Sequence, residues 1–503
     1  MKQKRFLMGI DNGGSNVKCA IFDLDGEEVA AAGVRLSSEQ HRAGFVERDP
    51  ERVWRCNCDV IAEALHKAGI RPCQIAAISL CGYGGGLCLV DESGTPVYPI
   101  VVSTDTRAHS QLKQLRSSGA AHQVFETTHQ QLWEGQPAVL LKWFREERPE
   151  ILRQARYALT IKDFIRSRLT QTFATDVTDA SNNNLIDPTT GSYSEQLFHI
   201  SGLDADRRLF DYPLLRPDSV VGSVTKHAAE ETGLAPGTPV AAGLYDVSAC
   251  TMGCGALGHG TLAITNGTWS MASYFGTSFS HAANSTIVTV SAIDGCFLLE
   301  QGSATGTVNL NWYLDNFISK MHPSWTKQQL YGACAEAIRK VNPQNNIVFV
   351  PYLYASCTHP DAKGTFFNLL GYHNEMDLLY AIMEGILLSA RHHIKLLEHG
   401  IAPFQTAYLS GGVSASPEWS QMLCDILQIP ISITKGSQQG ARGAAMCAGV
   451  AVQEFDHFSQ AADAMVHTSS TLYPRAEHRD FYSQKIEIYE NALQALDYFY
   501  ELT

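Results

Sequence analysis

The sequence predicts an α/β protein of duplicated domains facing each other across a cleft, and three observations carry that expectation. The first is size: 503 residues exceed what one hydrophobic core organises, so the chain should divide into at least two domains. The second is a glycine-turn hairpin near the start, Met8-Gly9-Ile10-Asp11-Asn12-Gly13-Gly14-Ser15. An apolar strand there enters an acidic residue and a turn, and an alternating stretch to Asp23 leads to a second turn at Asp25-Gly26. The third is the return of that layout 254 positions later, where Ile264-Thr265-Asn266-Gly267 repeats the Ile-x-Asn-Gly of Ile10 to Gly13 between similar strands.

The first turn suits an anion. Gly13 and Gly14 lack a Cβ, so their backbone bends tightly and brings N–H groups close to a phosphate, while Asp11 offers a hard oxygen for Mg²⁺. An ordinary edge hairpin is the alternative. Two such turns across a cleft could hold one polyphosphate between them.

Composition narrows the classes. A hydrophobic share of 45% and a charged share of 18% are ordinary for a soluble α/β protein. The net charge of −13 argues against nucleic acid or an anionic membrane as a general partner. Thirteen cysteines without a Cys-x-x-Cys pair fit reduced thiols in a cytoplasm and make a zinc site an unsuitable reading. The basic start, Met1 to Arg5, is followed by an apolar stretch that soon meets Asp11, so no signal-peptide core is expected, and no uncharged stretch is long enough to cross a bilayer.

In chain order, Asp49-Pro50-Glu51 opens a helix running to Gly69, with Asp49 as N-cap and Pro50 in the first turn. Ile75 to Cys81 reads as a buried strand that ends in Gly82-Tyr83-Gly84-Gly85-Gly86, either a ligand-binding loop or a wide turn. Asp105 and Arg107 follow another apolar strand and read as a ligand contact or a surface salt bridge. Helices are expected around Pro137 to Arg148 and Lys162 to Leu169, then a polar loop from Asp176 to Asn184. Val240 to Ala249 gives a buried strand, a glycine and a helix with Asp246 in its first turn, where the helix dipole favours an anion. That carboxylate is a plain N-cap or a proton acceptor facing a cleft. In the second half, Gly306 precedes a short helix, Leu378 to His399 is a long one, and the strand Thr406 to Leu409 runs into Ser410-Gly411-Gly412 and a helix start at Ser416-Pro417. Bare backbone there could seat a ribose or purine.

Two motif matches lack their context. Gly253-Cys254-Gly255-Ala256-Leu257-Gly258 spells the dinucleotide fingerprint but ends a helix, with no acidic residue about twenty positions on. His478-Arg479-Asp480 imitates a protein-kinase catalytic loop, yet Lys485 stands where that motif needs its Asn. The chain contains no G-x-x-x-x-G-K-[ST] loop.

Over nearly its whole length the sequence resembles the FGGY carbohydrate kinases of the actin-like ATPase superfamily. The resemblance runs through Ile10 to Ser15, Lys162 to Thr170, Gly243-Leu244-Tyr245-Asp246, Leu409 to Pro417 and Gly440 to Ala445. Within that family it is similar to the L-xylulose kinase group through Trp133 to Pro137, Gly243 to Val247 and Asn266 to Trp269. The resemblance implies a two-domain actin-like (ribonuclease H-like) fold, with residues 1–257 as the sugar-binding domain and 258–503 as the adenosine-binding domain.

It also implies a chemistry: ATP-dependent phosphorylation of a small sugar such as L-xylulose, with Asp246 as catalytic base. Gly13, Gly14, Ser15, Gly267 and Thr268 would hold phosphates, and Gly306, Gly411, Gly412 and Ser416 the adenosine. Asp11 would hold Mg²⁺, and Tyr83, Gly84, Asp105, Arg107 and Trp133 would join Asp246 around the sugar. A cytoplasmic homodimer is implied as well. Tyr354 to Pro360 lacks the Gly-Glu-Arg of many relatives, and Gly82 to Gly86 lacks the Met-His of xylulokinases and the Arg-Glu of glycerol kinases, which leaves the sugar open. The alternatives are a glycerol- or erythritol-type polyol kinase and an actin-like ATPase switch with no small acceptor.

Overall fold

The computed structural model describes residues 5–341, 345–359 and 361–502; Met1 to Lys4 of the basic start and Pro360 of the Tyr354 loop lie outside them. The opening hairpin is β1 (Phe6–Asn12) and β2 (Asn16–Asp23), with Asp11 opposite Lys18, and β3 (Glu28–Arg35) extends it antiparallel. After the short β4 (Glu47–Arg48), helix α1 (Pro50–Ala68) starts as its sequence dictates: Asp49 accepts the Glu51 N–H at 2.9 Å, and Gly69, with φ 61°, closes the other end. β5 (Ile75–Gly82) is buried along its whole length, as a central strand with parallel neighbours must be, and pairs parallel with β1. Pro239–Ala241 lies parallel on the far side of β5, and Val220–Ser223 pairs antiparallel with it as the edge.

The second sheet repeats this arrangement strand for strand. Thr261–Asn266, Ser270–Gly276 and Phe297–Ser303 form the antiparallel trio, Thr406–Ser410 and Ile431–Thr434 the parallel continuation, and Thr468–Leu472 the antiparallel edge. Ile287–Val290 is an addition outside Phe297–Ser303. The two tight hairpins therefore occupy equivalent places in two equivalent sheets, the duplication that their sequence echo implied.

The chain leaves the first sheet through the helix Asp246–Gly253 and enters the second at Thr261. The helix Gln439–Ala451 then returns from the second sheet to pack on β1, β5 and the Asp246 helix. Its approach is set by small residues: a Cβ on Gly9 would stand 1.8 Å from the Ala441 carbonyl oxygen, and one on Gly443 1.9 Å from that of Ala249. Leu7, Phe22, Leu244 and Ala249 share one core with Ala441, Ala444, Met446 and Ala448, so the halves are joined by apolar burial as well as by the chain.

One segment differs from its expected form. Asp176 to Asn184 is not a loop: Thr175–Asp176 is a short strand and Val177–Asn182 a buried helix. Runs of Asp, Ser and Asn look loop-like because their side chains compete with helical hydrogen bonds. Here Asp176 caps the helix through the Thr178 N–H at 2.8 Å, and Asn183 and Asn184 find tertiary partners in the Gly85 N–H and Gln136. Among the described residues every cysteine is free, and no helix is long and apolar enough to cross a membrane.

Candidate active site

Asp246 opens its helix directly after Leu244–Tyr245, a two-residue strand that pairs with β5 through Tyr245 and Gly82. Burial raises its pKa well above the carboxylate range, and the carboxyls of Asp11, Glu300 and Asp179 add to the effect. Asp11, at the end of β1, is also raised by burial, against the opposing pull of Lys18 and the Cys81 thiol, whose sulfur is 3.6 Å from Oδ1. Gly440 gives Asp11 room, since a Cβ there would meet Oδ2 at 2.9 Å. Asp11 forms no ion pair among the described residues. Two neighbouring carboxyls with no ion-pair partner among the described residues are a donor set that fits a divalent cation.

A second cluster forms around the other hairpin. Gly267 donates its N–H to Trp269 O at 2.9 Å and accepts from Thr307 N at 2.6 Å. A Cβ on Gly306 would lie 2.2 Å from Gly267 O, and one on Gly411 2.6 Å from Asn266 O; Gly411 also has φ 87°, a region that side chains disfavour. Gly267, Gly306, Gly411 and Gly412 thus come together as a bare-backbone cradle, with Thr268 exposed beside it. Asn266 is fully buried with neither amide atom hydrogen-bonded among the described residues, whereas its counterpart Asn12 exchanges two bonds with Asn57, at 2.9 and 3.1 Å. Ser416 caps the helix Pro417–Leu427 by accepting the Trp419 N–H at 3.4 Å. In the first hairpin the Gly13 N–H donates to Asn16 O at 3.0 Å, while Gly14 and Ser15 are exposed. Arg48, which the sequence did not single out, donates to Gly14 O and to Ser38 Oγ at 3.0 Å, with its guanidinium 5.7 Å from the centre of the Tyr83 ring.

Tyr83, Gly84 and Trp133 gather at the glycine loop that follows β5. A Cβ on Gly84 would meet Asn182 Oδ1 at 2.0 Å and the Tyr245 ring at 2.8 Å, and one on Gly85 would meet Trp133 at 3.1 Å. The Gly85 N–H donates to Asn183 Oδ1 at 3.2 Å. Among the described residues nothing donates to Asn182 Oδ1, and with Asn183 it is a polar group that the sequence placed in a loop.

Asp105 and Arg107 form an ion pair that is buried, not on the surface. Arg107 Nη2 is 2.8 Å from Asp105 Oδ2 and 2.7 Å from Glu47 Oε1, Asp105 also accepts the Val46 N–H at 2.6 Å, and Phe45 stacks on the guanidinium at 4.2 Å. These groups fix β4 and its approach to the first hairpin. Deeper still, Lys162 Nζ lies 2.5, 2.8 and 3.2 Å from Asp163, Asp176 and Asp179, and Arg166 pairs with Asp163 at 2.7 Å. Burial pushes Asp179 up to about 7; Lys162 opposes the rise, while Asp176 and Asp163 add to it. The three acids would otherwise resemble a metal cluster, but the Lys162 ammonium occupies its centre.

Glu300 was also missed. It is buried in Phe297–Ser303, burial pushes it up to about 8, and the Tyr245 hydroxyl sits 3.1 Å from Oε1. A carboxyl directly after the apolar run Phe297-Leu298-Leu299, in the same strand, was a readable signal.

Comparison with known proteins gives a consistent result. Residues 6–253 match the FGGY family of carbohydrate kinases, N-terminal domain, and residues 262–452 match the C-terminal domain of the same family. The chain is 29% identical over 494 residues to a probable L-xylulose kinase of Pasteurella multocida, covering 98% of this chain and 99% of that protein. It is 27% identical over 498 residues to the L-xylulose/3-keto-L-gulonate kinase of Escherichia coli K12, covering 99% and 98%. The crystal structure of xylulose kinase from Rhodospirillum rubrum superposes with a TM-score of 0.88 at 22% identity over 99% of this chain and all of that one, a likeness of fold.

Proposed function

This chain belongs to the FGGY family of carbohydrate kinases, and on that premise we propose that it phosphorylates an uncharged keto sugar, a ketopentose such as L-xylulose, with Asp246 as the base. It is an ATP-dependent sugar kinase; the sugar and the residue roles are the proposal. The observation that supports them best is that Asp246 interacts with Asp11 and directly follows Tyr245, whose ring packs where Gly84 and Asn182 meet.

In this reading Gly13, Gly14, Ser15, Gly267 and Thr268 hold the phosphates, and Gly306, Gly411 and Gly412 receive the adenosine against bare backbone, with Ser416 at the nearby helix start. Asp11 would hold Mg²⁺, which when bound supplies positive charge to the phosphoryl oxygens. Asp246 orients one sugar hydroxyl and accepts its proton at a carboxylate oxygen as phosphoryl transfer proceeds. Tyr83, Gly84 and Trp133, with Asn182, shape the sugar site. Asp105 and Arg107 act from behind, through β4.

Charge supports a neutral acceptor. Asp246 feels the carboxyls of Asp11, Glu300 and Asp179, and the buried cations Lys162, Arg166 and Arg107 are each committed to acids of the protein itself. A keto sugar acid would place a carboxylate among acids whose burial already disfavours negative charge. Thirteen free thiols support a reducing, cytoplasmic setting, and a homodimer is the assembly to test by sedimentation. An ATP-coupled screen across ketopentoses, polyols and keto sugar acids tests the substrate: turnover should rise most with a ketopentose. A best substrate among the sugar acids or polyols would reject that choice.

A further inference from the structure

Glu300 faces Ser273 and Ile287 in the adjoining strands, neither charged, and its carboxyl has one hydrogen-bond partner among the described residues, the Tyr245 hydroxyl, at 3.1 Å from Oε1 and 3.5 Å from Oε2. The ionisable groups that face this pair are Asp246 and Asp179, both acids. Tyr245 belongs to the first sheet and Glu300 to the second, so the bond joins the two halves. At its other end, the Tyr245 N–H donates to Thr178 Oγ1 at 2.9 Å; Thr178 bonds Asp176, and Asp176 is 2.8 Å from Lys162 Nζ. Tyr245 is therefore anchored by its backbone to the first half and by its ring tip to the second, and the next residue is Asp246. Burying a carboxyl on a single hydrogen-bond partner costs stability that an apolar side chain at the same place would not, and groups kept at such a cost cluster at functional sites.

We infer that Glu300 is a positioning residue: by holding Tyr245 from the second sheet it orients Asp246 for proton acceptance only when the two halves are together, so that phosphoryl transfer to the sugar depends on their closure. The inference rests on the reading of Asp246 as the base. Glu300 touches neither substrate in this account and acts through Tyr245.

The test uses the full-length enzyme and the variants Glu300→Ala, Glu300→Gln, Tyr245→Phe and the double Tyr245→Phe/Glu300→Ala. Glu300→Ala and Tyr245→Phe should each lower kcat roughly tenfold, leave the affinity for a non-hydrolysable ATP analogue unchanged, and raise sugar-independent ATP hydrolysis relative to transfer. Glu300→Gln, which keeps a hydrogen-bonding group of the same shape, should recover most of kcat. The double variant should be no slower than the worse single variant, because both substitutions break one contact. The inference is overturned by a kcat within about twofold of the parent in Tyr245→Phe, by losses that multiply in the double variant, or by a Glu300→Gln enzyme no faster than Glu300→Ala. A fully active Asp246→Asn enzyme would instead remove the base assignment, whatever the Glu300 variants do.

Discussion

At the scale of single residues, a carboxyl buried without a counter-ion shows itself as a pH dependence of stability. Glu300 has an ordinary value of 4.5 and is pushed up to about 8 in the folded chain, mainly by burial. Below 4.5 both folded and unfolded forms are protonated and its contribution to stability is fully present; it is lost as the pH rises through about 8. Glu300→Gln should therefore match the parent in melting temperature near pH 4.5 and exceed it increasingly towards pH 8, as scanning calorimetry across that range would read. Parallel curves would show that Glu300 does not titrate from a buried site. Lys162 is the opposite case. Lys162→Met leaves Asp163, Asp176 and Asp179 without their shared cation and should destabilise by about 3–5 kcal/mol in chemical denaturation. A loss below about 1 kcal/mol would mean that the acids are satisfied by other groups.

At the scale of elements, the helix Gln439–Ala451 is held against β1 by the absence of side chains. Gly9→Ala would drive a Cβ into the Ala441 carbonyl, and neither backbone can withdraw without parting the two halves. The expected cost is at least about 1–3 kcal/mol, read as a lowered melting temperature; a variant as stable as the parent would show that the crossing has slack. Some of this level was legible in the sequence. The two hairpins were, because a glycine turn is local chemistry that survives duplication: Asn12-Gly13 and Asn266-Gly267 carry the same instruction. The reason for Gly9 was not, because its neighbour is Ala441, far along the chain. The Val177–Asn182 helix was hidden for a related reason. Its Asp, Ser and Asn residues favour loops locally, and tertiary partners hold them in a helix instead: Thr160 and Lys162 on Asp179, the Val290 N–H on Ser181 and Gln136 on the Asn182 carbonyl.

At the scale of the whole molecule, two equivalent sheets each carry an equivalent glycine turn, and the helix Gln439–Ala451 packs the halves together. Asp246 was readable as a carboxylate at a helix start, but its company of Asp11, Asp179 and Glu300 was not, because those acids come from three distant strands and helices. Such a site should admit water as a competing acceptor unless the halves close on the sugar. ATP hydrolysis without sugar should accordingly be much slower than transfer, and small-angle scattering should show a smaller radius of gyration with sugar and a non-hydrolysable ATP analogue together than with neither. An unchanged radius alongside fast, sugar-independent hydrolysis would contradict closure. The central claim, that Asp246 is the base of a sugar kinase, is tested most directly by comparing ADP release from the parent and from Asp246→Ala with ATP and L-xylulose. The account predicts sugar-dependent release in the parent and a loss of roughly 10²–10⁴ in the variant at retained nucleotide affinity, whereas equal turnover by the two would contradict it.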